Sequence, residues 1–153
     1  MQHPEITKFT IRAYAIIINT NNEVLLSDEF VFNSRITKFP GGGVELGEGT
    51  IDCLHREAQE ELGQDIEIIQ HFYTTDFFQQ GYFRNDVQIV SVYYLAKLAE
   101  PHRFKISIKP FDYEKEVEGA LSFRWIAIKD LTMEEISLPI DKVVAGMLKK
   151  IQI

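Results

Sequence analysis

The sequence predicts an α+β domain spanning residues 1–153, an α/β/α sandwich in which a mixed β-sheet lies between helices. Segments rich in β-branched and aromatic residues stand on both sides of one acidic helix, and a second apolar helical stripe follows near residue 150. A chain of 153 residues with 45% hydrophobic residues is long enough to bury a substantial core.

The first elements predict a β-hairpin. Residues from Lys8 to Asn19 are rich in β-branched and aromatic side chains, and the apolar run at their end indicates a strand buried on both faces. Thr20-Asn21-Asn22 is a turn signal, and Glu23 to Ser27 is predicted as the return strand. Residues 28 to 37 are predicted to form a loop.

A glycine-rich turn from Phe39 to Glu48 precedes the predicted central helix. Thr50 or Gly49 fits the N-cap, and Gly63 stands where a helix ends in the left-handed conformation.

Two long strands are predicted after this helix, from Ile66 to Phe78 and from Asp86 to Leu98, joined by a turn at Gln79-Gln80-Gly81. Aromatic residues cluster around this turn. A nucleobase could stack on one of them, but such residues more often fill a core or a sheet face. The cluster consists of Phe72, Tyr73, Phe77, Phe78, Tyr82 and Phe83.

The last third of the chain predicts fewer regular elements. A polar connection over residues 99–120 contains a possible short strand from Phe104 to Lys109, and Leu121 to Ile128 predicts a further strand. Residues 129–136 predict a short helix or turn. Pro139 suits the first turn of a final helix, whose apolar stripe is Val143, Val144, Met147, Leu148 and Ile151.

Composition narrows the range of partners and locations. The net charge of −7 argues against a broad nucleic-acid or anionic-membrane surface, and no apolar run is long enough to span a bilayer. Cys53 is the only cysteine, so an internal disulfide cannot form. Because a signal peptide is also not evident, we expect a cytoplasmic location. The sequence leaves the oligomeric state open, with a homodimer as one option.

Three carboxylates are predicted to share one face of the central helix. Glu57 lies three residues before Glu60 and four before Glu61, and residues at these spacings are neighbours on a helix surface. The repulsion between them would be relieved by a hard divalent cation, because Mg²⁺ and Mn²⁺ take carboxylate oxygens.

This stretch resembles the signature of the Nudix hydrolases, G-x5-E-x7-R-E-U-x-E-E-x-G-U, in which U is a bulky aliphatic residue. Ala58 is a small occupant of the first U position, and Gln64 departs from the second. All seven fixed positions match, namely Gly42, Glu48, Arg56, Glu57, Glu60, Glu61 and Gly63. Seven matches at fixed spacings make the resemblance specific, and it implies the Nudix fold, with the signature helix packed against the mixed sheet.

The resemblance also implies roles for individual residues. Glu57, Glu60 and Glu61, with the backbone carbonyl of Gly41, would bind one to three Mg²⁺ or Mn²⁺ ions. Glu48 and Arg56 would form an ion pair that ties the loop to the helix. Nudix enzymes take their general base either from the signature or from a distant acid. The candidate residues are Glu57, Glu61 and Glu118, with Glu114 and Glu116 as alternatives to Glu118.

The implied activity is hydrolysis, by water attack at phosphorus, of a phosphoanhydride in a nucleoside diphosphate linked to another group. The substrate could be a nucleoside triphosphate, a dinucleoside polyphosphate or a nucleotide sugar, and Tyr82 is a weak indication of the second. Arg35 and Lys38 could contact phosphate or could be solvated loop cations. The alternative function is a catalytically silent nucleotide-binding or regulatory module on the same fold.

Overall fold

The computed structural model of the chain describes residue 3 and residues 5–151. Within this part of the chain the strands are β1 (Lys8–Ile17), β2 (Glu23–Val31), β3 (Ser34–Lys38), β4 (Gly41–Gly43), β5 (Ile66–Thr74), β6 (Val87–Leu98) and β7 (Ala120–Ala127). The α-helices are α1 (Thr50–Leu62) and α2 (Pro139–Lys150), and two short 3-10 turns cover Ile128–Asp130 and Met133–Glu135.

The strands form two sheets. One has the order β4-β1-β6-β5 and is mixed, because β1 runs parallel to β6 while the other two pairs are antiparallel. The second is antiparallel with the order β3-β2-β7. The predicted α+β class with a mixed sheet is therefore confirmed.

The predicted hairpin between β1 and β2 is wrong. The turn exists, but among the described residues only one isolated bridge, between Ile18 and Val24, joins the two segments. Beyond it, the two strands enter different sheets. Residues 13–17 of β1 and 24–28 of β2 are buried on both faces, and each strand pairs with at least one neighbour that is distant in sequence, β6 for β1 and β7 for β2.

The side chains on opposite sides of β1 and β2 pack into two separate hydrophobic cores. Tyr14 and Ile16 of β1 pack with Val144 and Leu148 of α2. Alternate β1 residues face α1 instead, where Ala13, Ala15 and Ile17 pack with Leu54, Ala58 and Leu62. Strand β2 divides its side chains between the same two cores, so strands separate the helices as predicted for an α/β/α sandwich.

Residues 28 to 37 are not the predicted loop. Strand β2 continues to Val31, and β3 starts at Ser34. The two-residue turn between them is Phe32-Asn33, with φ of 50° and 58°. Hairpin turns with two positive φ angles usually contain glycine or asparagine, so phenylalanine at the first position concealed this turn.

A buried ion pair holds the second sheet together. Asp28 of β2 is fully buried and accepts hydrogen bonds from Arg124 Nε at 2.7 Å and from Thr37 Oγ1 at 2.6 Å. These residues lie on β2, β7 and β3, and Arg124 also donates to Glu135 at 3.1 Å. Asp28 and Thr37, which fall in the segment predicted to be a loop, thus help to link three strands.

The remaining differences concern ends of elements. Strand β5 ends at Thr74 rather than Phe78, and the predicted strand from Phe104 to Lys109 is reduced to one bridge between Ile106 and Phe123. Pro139 begins α2 as predicted, but Val143 of the predicted apolar stripe is exposed. The buried residues of α2 are Ile140, Asp141, Val144, Ala145 and Leu148. No helix in the described ranges is both long and apolar enough to cross a bilayer.

The substitution Arg124→Met should lower the free energy of unfolding by about 3–5 kcal/mol, because it leaves the Asp28 carboxylate buried without its cation. Chemical denaturation measures this loss. The double variant Asp28→Asn, Arg124→Met should be more stable than Arg124→Met alone. The exposed pair of Lys97 and Glu67, 3.7 Å apart, provides a control, since Lys97→Met should change stability by less than about 1 kcal/mol. Equal losses in both single variants would contradict a structural role for the buried pair.

Candidate active site

The caps of α1 set the position of its acidic residues. The helix starts after Gly49, whose N–H donates to Asp52 Oδ2 at 2.8 Å, so the N-cap is one of the two predicted residues. Gly63 ends it with φ of 68° and donates to the carbonyl of Gln59, as predicted. The face carrying Leu54 and Leu62 is buried in the core, which leaves the glutamates on the exposed side.

The glycine-rich loop brings the backbone of β4 against this helix. Gly41 has φ of +146°, and a Cβ atom there would lie 2.1 Å from the carbonyl oxygen of Ala13. A Cβ at Gly42 would lie 2.6 Å from Glu57 Oε1. Both positions therefore require glycine, because a side chain would separate the loop from β1 or from Glu57.

The side chain of Arg56 links the loop to the helix. Its Nη2 and Nε donate to the two carboxylate oxygens of Glu48 at 2.7 and 3.0 Å, and Nη2 also donates to the Gly43 carbonyl at 3.0 Å. Nη1 donates to Glu57 and Glu60 at 3.0 and 3.2 Å. The hydrogen bonds from Arg56 lower the pKa of Glu48 to about 2. One cation thus fixes the loop and two of the helix carboxylates.

The three helix carboxylates do not form one compact group. Glu57 and Glu61 are partly buried and both border a small cavity beside Gly41, whereas Glu60 is exposed and bonded to Arg56. Burial raises the pKa of Glu61; Lys38 opposes this effect and Glu57 adds to it. Across residue 3 and residues 5–151, no three His, Cys, Asp or Glu side chains are arranged to hold a metal ion.

Lys38 was predicted either to contact phosphate or to be a solvated loop cation, and the second alternative is wrong. It is buried at 3% exposure in β3 and forms an ion pair with Glu29 at 2.9 Å. Its Nζ also donates to the carbonyl oxygens of Phe39 and Gly41 at 3.2 and 3.1 Å. Lys38 therefore contacts the carbonyl of Gly41 that the sequence singled out.

Lys38 also lines a large cavity with a volume of about 310 Å³. Its polar wall contains Arg12, Glu29 and Lys38, and Asp141 lies at its base, bonded to the Tyr93 hydroxyl. Burial raises the pKa of Asp141 to about 6.

The aromatic residues Phe32, Tyr82 and Phe83 also line the cavity. The ring centroids of Phe32 and Phe83 are 4.6 Å apart, and those of Tyr82 and Phe83 are 4.8 Å apart. A ligand with one flat ring and one charged end suits such walls.

The other predicted site residues lie in different places. Tyr82 is exposed and lines the cavity. Arg35 is bound to Glu116 at 2.5 Å and lies over the Phe111 ring, outside the residues that line the cavity. Glu118 accepts a hydrogen bond from the backbone N–H of Phe32 at 2.9 Å, beside the turn between β2 and β3.

Three cavity residues were not predicted from the sequence: Arg12, Glu29 and Asp141. All three are charged residues inside or next to apolar segments that form strands or a helix. A charge on the inward-facing side of a strand pattern is the signal that could have identified Arg12.

Cys53 fills space rather than supplying a nucleophile. It is fully buried, and burial raises the pKa of its thiol to about 11. A thiol with such a pKa is almost entirely protonated at neutral pH and reacts poorly.

The fold and this site define a class of α+β proteins in which a glycine-rich loop packs against an acidic helix. The model of the NUDIX domain matches residues 8–146, and the chain belongs to the Nudix hydrolase family. This family consists generally of pyrophosphohydrolases. No curated protein matches the sequence.

Solved structures agree with this family. A NUDIX hydrolase from Nitrosomonas europaea has a TM-score of 0.66 at 14% identity, with 91% of this chain and 88% of that chain covered. The MutT protein from Methanosarcina mazei Go1 has a TM-score of 0.65 at 16% identity, covering 94% and 95%. An ADP-ribose pyrophosphatase from Streptococcus suis 89-1591 has a TM-score of 0.58 at 21% identity, covering 91% and 86%. At these identities the likeness concerns the fold.

The ion pair of Glu48 and Arg56 predicts a defined pH dependence of stability. The folded pKa of Glu48, about 2, lies below its usual value of 4.5, so the ionised form stabilises the fold. This contribution is fully present above pH 4.5 and is lost as the pH falls toward 2. Glu48→Gln should therefore melt below the wild-type temperature at pH 6, and the difference should shrink with acidification. Calorimetry at several pH values measures this, and a difference that does not change with pH would contradict it.

Proposed function

We propose that the chain hydrolyses a phosphoanhydride bond in a nucleoside diphosphate linked to another group. The observation that carries this proposal is the contact of Lys38 with both the cavity and Gly41. It joins a cavity suited to a nucleoside to the loop and helix that carry Glu57 and Glu61. A substrate in the cavity would extend its phosphates toward these carboxylates.

The residues at this end fit a divalent cation, Mg²⁺ or Mn²⁺. Glu57 and Glu61 offer hard oxygen donors beside the carbonyl of Gly41. Glu57 can take this position because residue 42 is glycine, and any side chain there would collide with its carboxylate. These residues would hold the ion, and Glu60 would join them after releasing Arg56. When bound, the cation would neutralise phosphate charge and lower the pKa of the attacking water.

The protein's own groups would position the reactants. Glycine at Gly41 and Gly42 lets the loop backbone pack against β1 and Glu57, which keeps the Gly41 carbonyl beside the carboxylates. Arg56 orients Glu57, which lies closest to the loop and could hold the attacking water or accept its proton. Glu61 and the more distant Glu118 are the other candidates for the base. The aromatic residues Tyr82 and Phe83 could stack on a nucleobase.

A catalytically silent nucleotide-binding module is the second candidate. The position of Lys38 favours this candidate. Its Nζ donates a hydrogen bond to the carbonyl oxygen of Gly41, the same oxygen that we propose as a ligand of the cation. Hydrolysis would require this lysine to share or leave that carbonyl. The two functions differ in whether any substrate is turned over.

Activity should require a divalent cation. A substrate panel with Mg²⁺ or Mn²⁺ should include nucleoside triphosphates, dinucleoside polyphosphates and nucleotide sugars, together with ADP-ribose, since one similar structure is an ADP-ribose pyrophosphatase. We expect phosphate or nucleotide release from at least one compound, a rise at mildly alkaline pH, and complete loss in excess EDTA. Full turnover in EDTA would contradict the metal assignment, and no turnover in the whole panel would favour the silent module.

Glu57→Gln and Glu61→Gln should each reduce turnover at least about a hundredfold and weaken Mg²⁺ binding, because each removes a charged oxygen ligand while keeping the side-chain shape. Glu61→Gln should also preserve or slightly raise the melting temperature, since it removes a partly buried carboxyl next to Glu57. The matched control is Glu67→Gln, at an exposed acid paired only with Lys97 among the described residues. Wild-type rates in both site variants would show that these acids do not bind the ion.

Glu118→Gln separates a distant general base from a structural contact. If Glu118 is the base, kcat falls by a factor of about 10² to 10⁴ while Mg²⁺ affinity stays unchanged. Glu67→Gln, at the exposed acid paired with Lys97, is again the control and should keep the wild-type kcat. If kcat is unchanged in Glu118→Gln, Glu118 is not the base and its bond to Phe32 N–H is structural.

A further inference from the structure

Arg12 is the one cation of the cavity wall that forms no direct ion pair among the described residues. Three cations line the cavity, and two of them are paired: Lys38 with Glu29 at 2.9 Å and Arg84 with Asp86 at 2.7 Å. Within the described residues, no carboxylate oxygen lies within 4.0 Å of the Arg12 side-chain nitrogens. The cavity therefore contains one guanidinium without a direct ion pair, and the carboxylates of Glu29 and Asp141 act on it only from a longer distance.

A single hydrogen bond orients this guanidinium. Arg12 Nε donates to the Tyr14 hydroxyl oxygen at 2.5 Å, and the guanidinium carbon lies 5.5 Å from the centre of the Tyr14 ring. Its two terminal nitrogens, Nη1 and Nη2, donate to no acceptor in the part of the chain that the structure describes. Arginine stays charged at any physiological pH, and partly buried donors without acceptors are costly. The two free nitrogens thus present a fork of donors to a ligand.

The location of Arg12 indicates which part of a ligand it would meet. It is the cross-strand partner of Gly43 in β4, and its Nη1 would lie 3.8 Å from a Cβ atom on that glycine. The carbonyl of Gly43 in turn accepts from Arg56, which bonds Glu57. Arg12 therefore stands between the cavity and the acidic helix.

We propose that Arg12 binds the diphosphate of a substrate whose nucleoside part occupies the cavity, which rests on the proposed function. A guanidinium fork matches two phosphate oxygens, and a phosphate approaching the carboxylates of an acidic protein needs a cation beside it. The phosphate role that the sequence suggested for Arg35 moves to Arg12, because Glu116 and the Phe111 ring already engage Arg35. Tyr14 is a positioning residue that acts through Arg12.

Calorimetric binding of three probes in Mg²⁺ buffer tests this role: inorganic pyrophosphate, ADP and adenosine. Arg12→Gln should weaken pyrophosphate and ADP binding about tenfold or more and leave adenosine binding unchanged. Arg12→Lys should fall between Arg12→Gln and the wild type, because lysine keeps the charge but not the fork. Arg35→Gln is the matched control and should bind all three probes like the wild type.

Tyr14→Phe provides a second route if Arg12→Gln does not fold. This variant keeps the charge of Arg12 and removes its orienting acceptor. Pyrophosphate affinity should therefore fall less than in Arg12→Gln, and KM for the best substrate should rise more than kcat falls. Unchanged KM and unchanged pyrophosphate affinity in Tyr14→Phe would contradict the positioning role.

The outcomes separate this inference from the proposed function. A wild-type protein that hydrolyses nothing contradicts the function, while pyrophosphate binding still reports on Arg12. Wild-type pyrophosphate affinity in Arg12→Gln overturns the inference, whatever the turnover. A loss confined to adenosine also overturns it, because the fork would then bind acceptors on the edge of the base instead of phosphate.

Discussion

The organisation of the site depends on the guanidinium of Arg56. It bonds Glu48 and the Gly43 carbonyl on the loop and two carboxylates of its own helix, Glu57 and Glu60. Without this cation the loop acids and helix acids would repel each other across a short distance. The same bonds place Glu57 against Gly42, so that the charge balance of the site and its geometry have one physical origin.

A second polar link connects this acidic end to the cavity on the other face of the sheet. Tyr14 and Arg12 project from one face of β1, and Ala13 faces α1 on the opposite side. Lys38 reaches Gly41 from β3 at the edge where the chain passes from the second sheet to the first. The split of the strands into two sheets lets Lys38 and Glu29 of the second sheet line the same cavity as Arg12 and Tyr14 of the first.

Local signals made the helix and its loop predictable from sequence. The caps at Gly49 and Gly63, the helical spacing of the acids and the glycine run all act within a few residues. The strand pairing could not be predicted in the same way, since the parallel partner of β1 is almost eighty residues away in sequence. Nor could the role of Asp28 be predicted, because its stabilising partner Arg124 is 96 residues away in sequence.

Buried polar groups that break a local pattern are informative because each needs a partner. Gln64 stands where the Nudix pattern has an aliphatic residue, is 2% exposed, and bonds the backbone of Glu100 and Arg103 at 3.2 and 2.7 Å. It thereby fixes the start of the long connection to β7, as Asp28 fixes the sheet. Arg12 breaks the pattern of its strand in the same way, but the described protein supplies only Tyr14 to it. The diphosphate proposed above would supply acceptors for the remaining donors of Arg12.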